Sequence, residues 1–178
     1  MPAPTLDTQE FTRRADRATG TLALAELPRL TSLLLDDHGG IEWSLAGRSE
    51  LSPEGARHGY LTLALHGRVR ARCVRCLEPV ELALEARRDY RMVASEAQAE
   101  QQDLDDEAYD LLAHARRLDL GELIEDEAIM ALPAAPRHEH CRPPASGDAT
   151  AEPPPDTATS NPFAVLARLR RDGGEPDA

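Results

Sequence analysis

The chain has 178 residues, 32 of them acidic against 20 basic, for a formal net charge of −12. That length supports one modest domain with a real core, and that charge excludes a general nucleic-acid coating role, which needs positive charge along the contact. Three cysteines (an odd number), no signal peptide and no membrane-length apolar run exclude a secreted disulfide scaffold and a membrane span, so the expected setting is the cytoplasm.

Residues 1–19 are polar, with Arg13, Arg14 and Arg17, and predict a flexible N-terminal arm or a strand that docks late. A single α+β domain is expected over 20–142. In residues 21–37, "TLALAELPRLTSLLLDD", Pro28 fits a helix only in its first turn, so a loop precedes a short helix near 28–35, ended by Gly39 and Gly40. Three strands follow. Ile41, Trp43 and Leu45 alternate with polar neighbours, as do Leu61, Leu63, Leu65 and Val69, and then Val80, Leu82 and Leu84. A period of two puts one face in a core and the other in water. "CLEPV" is a tight break between the second and third strands, which makes an antiparallel β-meander packed against one or two helices. Trp43, beside Ile41 and Leu45, belongs to the core.

Residues 95–117 predict a solvated acidic loop or surface helix. In "LDLGELIEDEAIMALP", Asp119 caps a helix and Glu122 completes a capping box. Leu120, Leu123, Ile124 and Ala128 form its apolar stripe, Glu125, Asp126 and Glu127 lie mostly outside, and Pro133 stops it. "PAAPRHEHCRPP" is irregular. Residues 143–160 are too polar and proline-rich to offset the entropy of ordering and predict a disordered linker. Beyond it, 161–171 predict a short amphipathic docking helix. Asn161 is its cap, Pro162 its first residue, Phe163, Leu166 and Leu169 its apolar side, and Arg170 sits among arginines at its C-terminal end. Residues 172–178 are a disordered tail.

The chemistry concentrates in "ARCVRCLEPV" and "HEHC". Cys73 and Cys76 have the spacing that lets two thiolates converge on one ion, and Cys141 with His140 or His138 would complete a four-ligand set for one structural Zn²⁺. With 3% aromatics the core rests on Leu, Val, Ile and Ala, and such a tie would support it. Two other readings of the cysteines stand beside this one. A redox pair needs a helix N-terminus behind it, whereas this pair stands at a strand end; or the thiols are reduced and fill small gaps near a turn, with the histidines exposed.

Arg68, Arg70 and Arg72 share one strand face and, with Arg75, form the best positive patch, with fork geometry suited to phosphate. The alternative is a face neutralised by the chain's own Glu81, Glu85 or Asp126. Few aromatics means no stacking platform for single-stranded bases. No catalytic constellation is expected; Glu125 and Asp126 read as a helix's wet face.

Taken together, "RARCVRCLEPVELAL", "LDLGELIEDEAIMALPAAPRHEHC" and "NPFAVLARLRR" resemble the YceD-like proteins, the large ribosomal RNA subunit accumulation proteins. The likeness covers roughly 60–142 and the last helix. It implies a non-enzymatic role in synthesis, processing or stability of 23S ribosomal RNA in bacteria, with an rRNA precursor or a large-subunit assembly protein as partner. It carries over no catalytic, metal or RNA-contacting position. A zinc-stabilised adaptor that binds protein without touching RNA is the competing reading, and a thiol oxidoreductase a third.

Overall fold

A computed structural model describes residues 5–52, 55–102 and 109–143. The expected linker, the docking helix with Asn161, Pro162, Phe163, Leu166, Leu169 and Arg170, and the tail lie outside the described residues, save Pro143. The alternating runs become the long strands β3 (Gly40–Leu51), β4 (Arg57–Arg72) and β5 (Pro79–Val93), successive antiparallel neighbours. Register follows from the alternation: Trp43 stands opposite Leu65, and Leu65 opposite Ala86. One face therefore buries Ile41, Trp43, Leu45, Leu61, Leu63, Leu65, Val69 and Leu84. A one-residue slip would turn that whole set to water, which fixes the register.

Helix α4 (Leu120–Ala131) lies on this face through Leu120, Ile124 and Ala128. As expected, Asp119 caps it, accepting from the N–H groups of Gly121 (2.9 Å) and Glu122 (3.2 Å). The fold is α+β, and the described residues fall within one compact unit, Met1–Pro144. No helix among them is long and apolar enough to cross a membrane.

The structure departs from expectation in four places. The N-terminal segment is not a loose arm; it carries strand, the other reading of it, together with a helix that the sequence reading did not include. A short strand β1 (Thr5–Leu6), a helix α1 (Thr8–Arg14) and a strand β2 (Arg17–Ala23) occupy it. Asp7 caps α1, and Thr8 is fully buried, its hydroxyl donating to the Ala115 carbonyl and its N–H reaching the same oxygen. The Thr8 anchor is polar and 107 residues away in sequence, so no local pattern announces it. β1 pairs with a second short strand, β7 (Leu118–Asp119), just ahead of α4.

The helix expected over 28–35 is only one turn, α2 (Pro28–Thr31), preceded by a 3₁₀ turn at Leu24–Glu26. Upstream, "RATGTLA" joins the edge of the sheet beside β3; its inward residues Ala18 and Gly20 are too small to register as an apolar stripe. Within the acidic stretch, α3 (Glu96–Gln102) leads to β6 (Asp110–Ala113), which pairs with β5 in parallel. Parallel pairing requires a crossover and has no turn signal. The main sheet is thus mixed, in the order β2-β3-β4-β5-β6. Finally, Glu125 is buried and Glu127 half-buried on α4; Asp126 alone of the three is exposed.

Gly47 shows how tightly α1 is seated. A Cβ there would lie 2.8 Å from both the carbonyl oxygen and a ring carbon of Phe11. The obstruction includes backbone, so it cannot be relieved by a rotamer. Gly47→Ala is expected to destabilise by about 1–3 kcal/mol, read as a lowered urea midpoint with unchanged slope; an unchanged midpoint would mean that α1 is not held on the sheet.

Candidate metal centre

β4 and β5 are joined by a turn that begins at Cys73, whose N–H reaches the Glu78 carbonyl (2.9 Å) and whose carbonyl accepts from Leu77 (2.9 Å). The segment leaving α4 comes back to the same turn: the Val74 N–H donates to the Pro136 carbonyl at 2.8 Å. Pro133 and Pro136 keep this return segment out of helix, and it delivers His138 and Cys141 to the two turn cysteines. Cys73, Cys76, His138 and Cys141 each offer one donor atom, and all four donors lie within 4.8 Å of one another. Cys73 is fully buried, on a small apolar floor of Ala71 and Val80; the other three are half-buried.

The spacings suit zinc. Zn–S bonds of about 2.3 Å and Zn–N bonds of about 2.0–2.1 Å at tetrahedral angles put two sulfurs about 3.8 Å apart, and sulfur and nitrogen about 3.5 Å apart. Cys73 Sγ and Cys141 Sγ are 3.7 Å apart, and Cys76 Sγ and His138 Nδ1 3.4 Å. A sulfur–sulfur bond is near 2 Å, so the thiols are not a disulfide. The imidazole is also oriented for ligation. Its Nε2 lies 2.9 Å from the Pro79 carbonyl, which can only accept, so the ring proton sits on Nε2 and leaves the Nδ1 lone pair facing the thiols.

Electrostatics agree with the geometry. Burial by itself pushes the Cys73 thiol up, but hydrogen bonds from the backbone of Cys76, His138 and Arg75 and from the Cys76 thiol outweigh it and bring it down to about 5. Cys141 moves the other way, raised by burial and by the neighbouring Cys73 and Cys76. Three thiols so close cannot all ionise without a cation between them.

Of the two histidines the sequence left open, His138 joins the cluster and His140 is exposed outside it. No helix begins behind Cys73 or Cys76 among the described residues, so the lowering at Cys73 comes from the cluster's own hydrogen bonds and not from the helix N-terminus that a redox pair uses. The predicted arginine face exists: Arg68, Arg70 and Arg72 are exposed, alternating with buried Val69 and Ala71. Arg70 is engaged by Asp36 (2.8 Å), not by the carboxylates named from sequence. Glu81 stands opposite Arg70 in the register, Glu85 contacts His66, and Asp126 pairs with Arg29. Arg75 donates to the Cys141 carbonyl across the centre (3.3 Å). Two arginines that the sequence reading passed over, Arg137 and Arg142, flank His138 and Cys141; the signal available was their adjacency to the proposed ligands.

The family "Large ribosomal RNA subunit accumulation protein YceD" matches residues 61–170, a span that includes all four clustered residues. The chain belongs to the YceD family. Its similarity to the large ribosomal RNA subunit accumulation protein YceD of Haemophilus influenzae is 39% identity over 104 residues, 56% of this chain. The chain spans 58% of the length of that YceD relative. No solved structure matches. The match begins on β4, so α1, β2 and β3 lie ahead of the region that the YceD profile covers.

Proposed function

We propose that this chain is a non-enzymatic cytoplasmic factor that supports synthesis, processing or stability of 23S ribosomal RNA and large-subunit assembly, with one structural Zn²⁺ holding its fold. Its partner is an rRNA precursor or a large-subunit assembly protein. Membership of the YceD family, whose name states a role in accumulation of large-subunit rRNA, supports the first part. The observation that carries the structural part is the four-donor cluster. Three thiolates and one imidazole fill a tetrahedral ion and leave no open position for a substrate or water, the pattern of structural sites. When bound, the ion supplies cross-linking: it fastens the exit of α4 to the β4–β5 turn. The chain's own residues do the rest, Cys73 from its buried floor and His138 through its bond to Pro79.

The test is deletion of the gene and sucrose-gradient analysis of the ribosomes. Mature 23S rRNA and 50S particles should fall relative to 16S rRNA and 30S particles, and the intact gene should restore them. Normal precursors and a normal subunit ratio would remove the rRNA reading while leaving the metal centre untouched.

A further inference from the structure

The turn that carries the cysteines ends in a cap unlike the rest of the surface. Val74 and Leu77 are each 56% exposed at its tip. Leu77 also has φ +67°, in the left-handed region that disfavours a branched side chain and that glycine or asparagine would occupy at ease. Strain combined with exposure means that Leu77 contributes little to the core of its own chain. Around this tip stand Arg72, Arg75, Arg137 and Arg142, all exposed.

These four differ from many of the other arginines. Arg14, Arg29, Arg48, Arg70, Arg87 and Arg88 each pair with a carboxylate. Among the described residues, none of the four at the tip does. The acids within the two segments are Glu78 and Glu139, and a loaded three-thiolate centre adds about one negative charge; the four guanidiniums outweigh these three, and Glu81 lies further along, on β5, opposite Arg70. On a chain of net charge −12 this cap is therefore a local positive feature with apolar residues at its middle.

We propose that this cap is an RNA-docking surface, its guanidiniums taking phosphates and Val74 and Leu77 lying against sugar and base edges. The proposal rests on the rRNA reading above and names the contact face for it. Charge complementarity selects the occupant. Planar guanidinium forks match phosphate oxygens in pairs, and the acidic remainder of the chain confines a polyanion to this end. Few aromatics favour a folded RNA, read through its backbone, over single strands held by stacking. The surface is split between two segments. Arg72 comes from the end of β4 and Arg75 from the β4–β5 turn, Arg137 and Arg142 from the return segment, and the cysteine–histidine cluster lies between them.

The experiment is fluorescence anisotropy of the purified, metal-loaded full chain with a short fluorescein-labelled RNA hairpin, repeated across a salt series. Four phosphate contacts predict a slope of log K against log salt of about −3, and the triple variant R72Q/R137Q/R142Q a slope of about −1. Its affinity should be at least about tenfold weaker at the lowest salt. Leu77→Gly relieves the backbone and should leave the melting temperature equal or higher while weakening the RNA severalfold; a purely structural Leu77 would not separate the two readouts. Arg87→Gln, at a carboxylate-paired arginine on β5, should bind as the parent does. Failure of the parent to bind the hairpin, an unchanged slope in the triple variant, or capture of an acidic protein by the same arginines without RNA binding would each overturn the proposal. Purified protein is the sample, so this outcome is independent of rRNA levels in a deletion strain.

Discussion

Cys73→Ala should reduce zinc from about one ion per chain to less than about one per four chains and should destabilise the protein by more than about 3 kcal/mol. The residue is fully buried, in contact with Cys141 and hydrogen-bonded from three neighbouring backbone groups, so no water can take its place without rearrangement. Elemental analysis of untagged protein and thermal unfolding with and without chelator read the two effects. The histidines provide the internal control. His138→Ala should weaken metal retention at least about tenfold, because a three-thiolate remnant is left open to water and chelator, whereas His140→Ala should retain metal as the parent does. Equal zinc in the Cys73 variant, or equal loss in the two histidine variants, would sink the assignment. Chelation should also expose the return segment from Pro133 to Arg142 to protease, since a bound ion would be its principal tie to the rest of the chain beyond the hydrogen bonds from Val74 to Pro136, from His138 to Pro79 and from Arg75 to Cys141.

The second large effect is expected at Glu125. Helix α2 has no local cap: Leu27 precedes it and offers no acceptor, so its first amides have no partner of their own. Glu125 of α4 supplies one from across the core. Its Oε1 accepts the N–H groups of Arg29 (2.6 Å) and Leu30 (3.0 Å), and its Oε2 takes the Arg29 guanidinium at 2.8 Å. Glu125→Ala should cost about 3 kcal/mol, since it strands two amides next to fully buried Leu30. Glu125→Gln can keep the oxygen that serves both amides but opposes an amide NH₂ to the guanidinium, and should cost roughly half as much. The contrast separates the cap from the ion pair in denaturant unfolding; equal costs would show that the cap contributes nothing.

The same group sets a pH dependence. Burial alone would push the Glu125 carboxyl up, but bonds from the Leu30 backbone and from the side chain and backbone of Arg29, with the Arg29 charge, outweigh it and hold the carboxyl below its ordinary value. A carboxyl lowered on folding stabilises fully above its unfolded value, near 4.3, and the contribution fades as pH falls through the folded value. The stability gap between parent and Glu125→Gln should therefore be constant near neutral pH and close in acid. A gap that widens in acid would contradict the assignment.

Glu125 also marks where sequence patterning stops being informative. At helical spacing it sits among charged neighbours and reads as solvent-facing. Nothing within a turn of it reveals the uncapped helix that it meets, nearly a hundred residues upstream. Thr8, buried against Ala115, is a similar case at the other end of the chain. By contrast, β3, β4, β5 and α4 could be read directly. Each buries a side-chain row whose period is its own backbone's, so local order and tertiary role coincide. The docking of α1 and the parallel strand β6 could not, because they depend on polar anchors and on a crossover that leave no periodic trace.

The sequence alone supplied the cysteine spacing and the candidate donors of a thiol–imidazole cluster. Which histidine belongs to it was decided only in three dimensions. Two candidates two residues apart are equivalent in composition, and the choice falls on His138 because the Pro79 carbonyl takes its Nε2 proton and turns Nδ1 inward. The arginines divide in the same way. Their number is a property of the chain, but whether each meets a carboxylate or faces water depends on what the fold brings opposite it, and for Arg72, Arg75, Arg137 and Arg142 the fold brings none among the described residues.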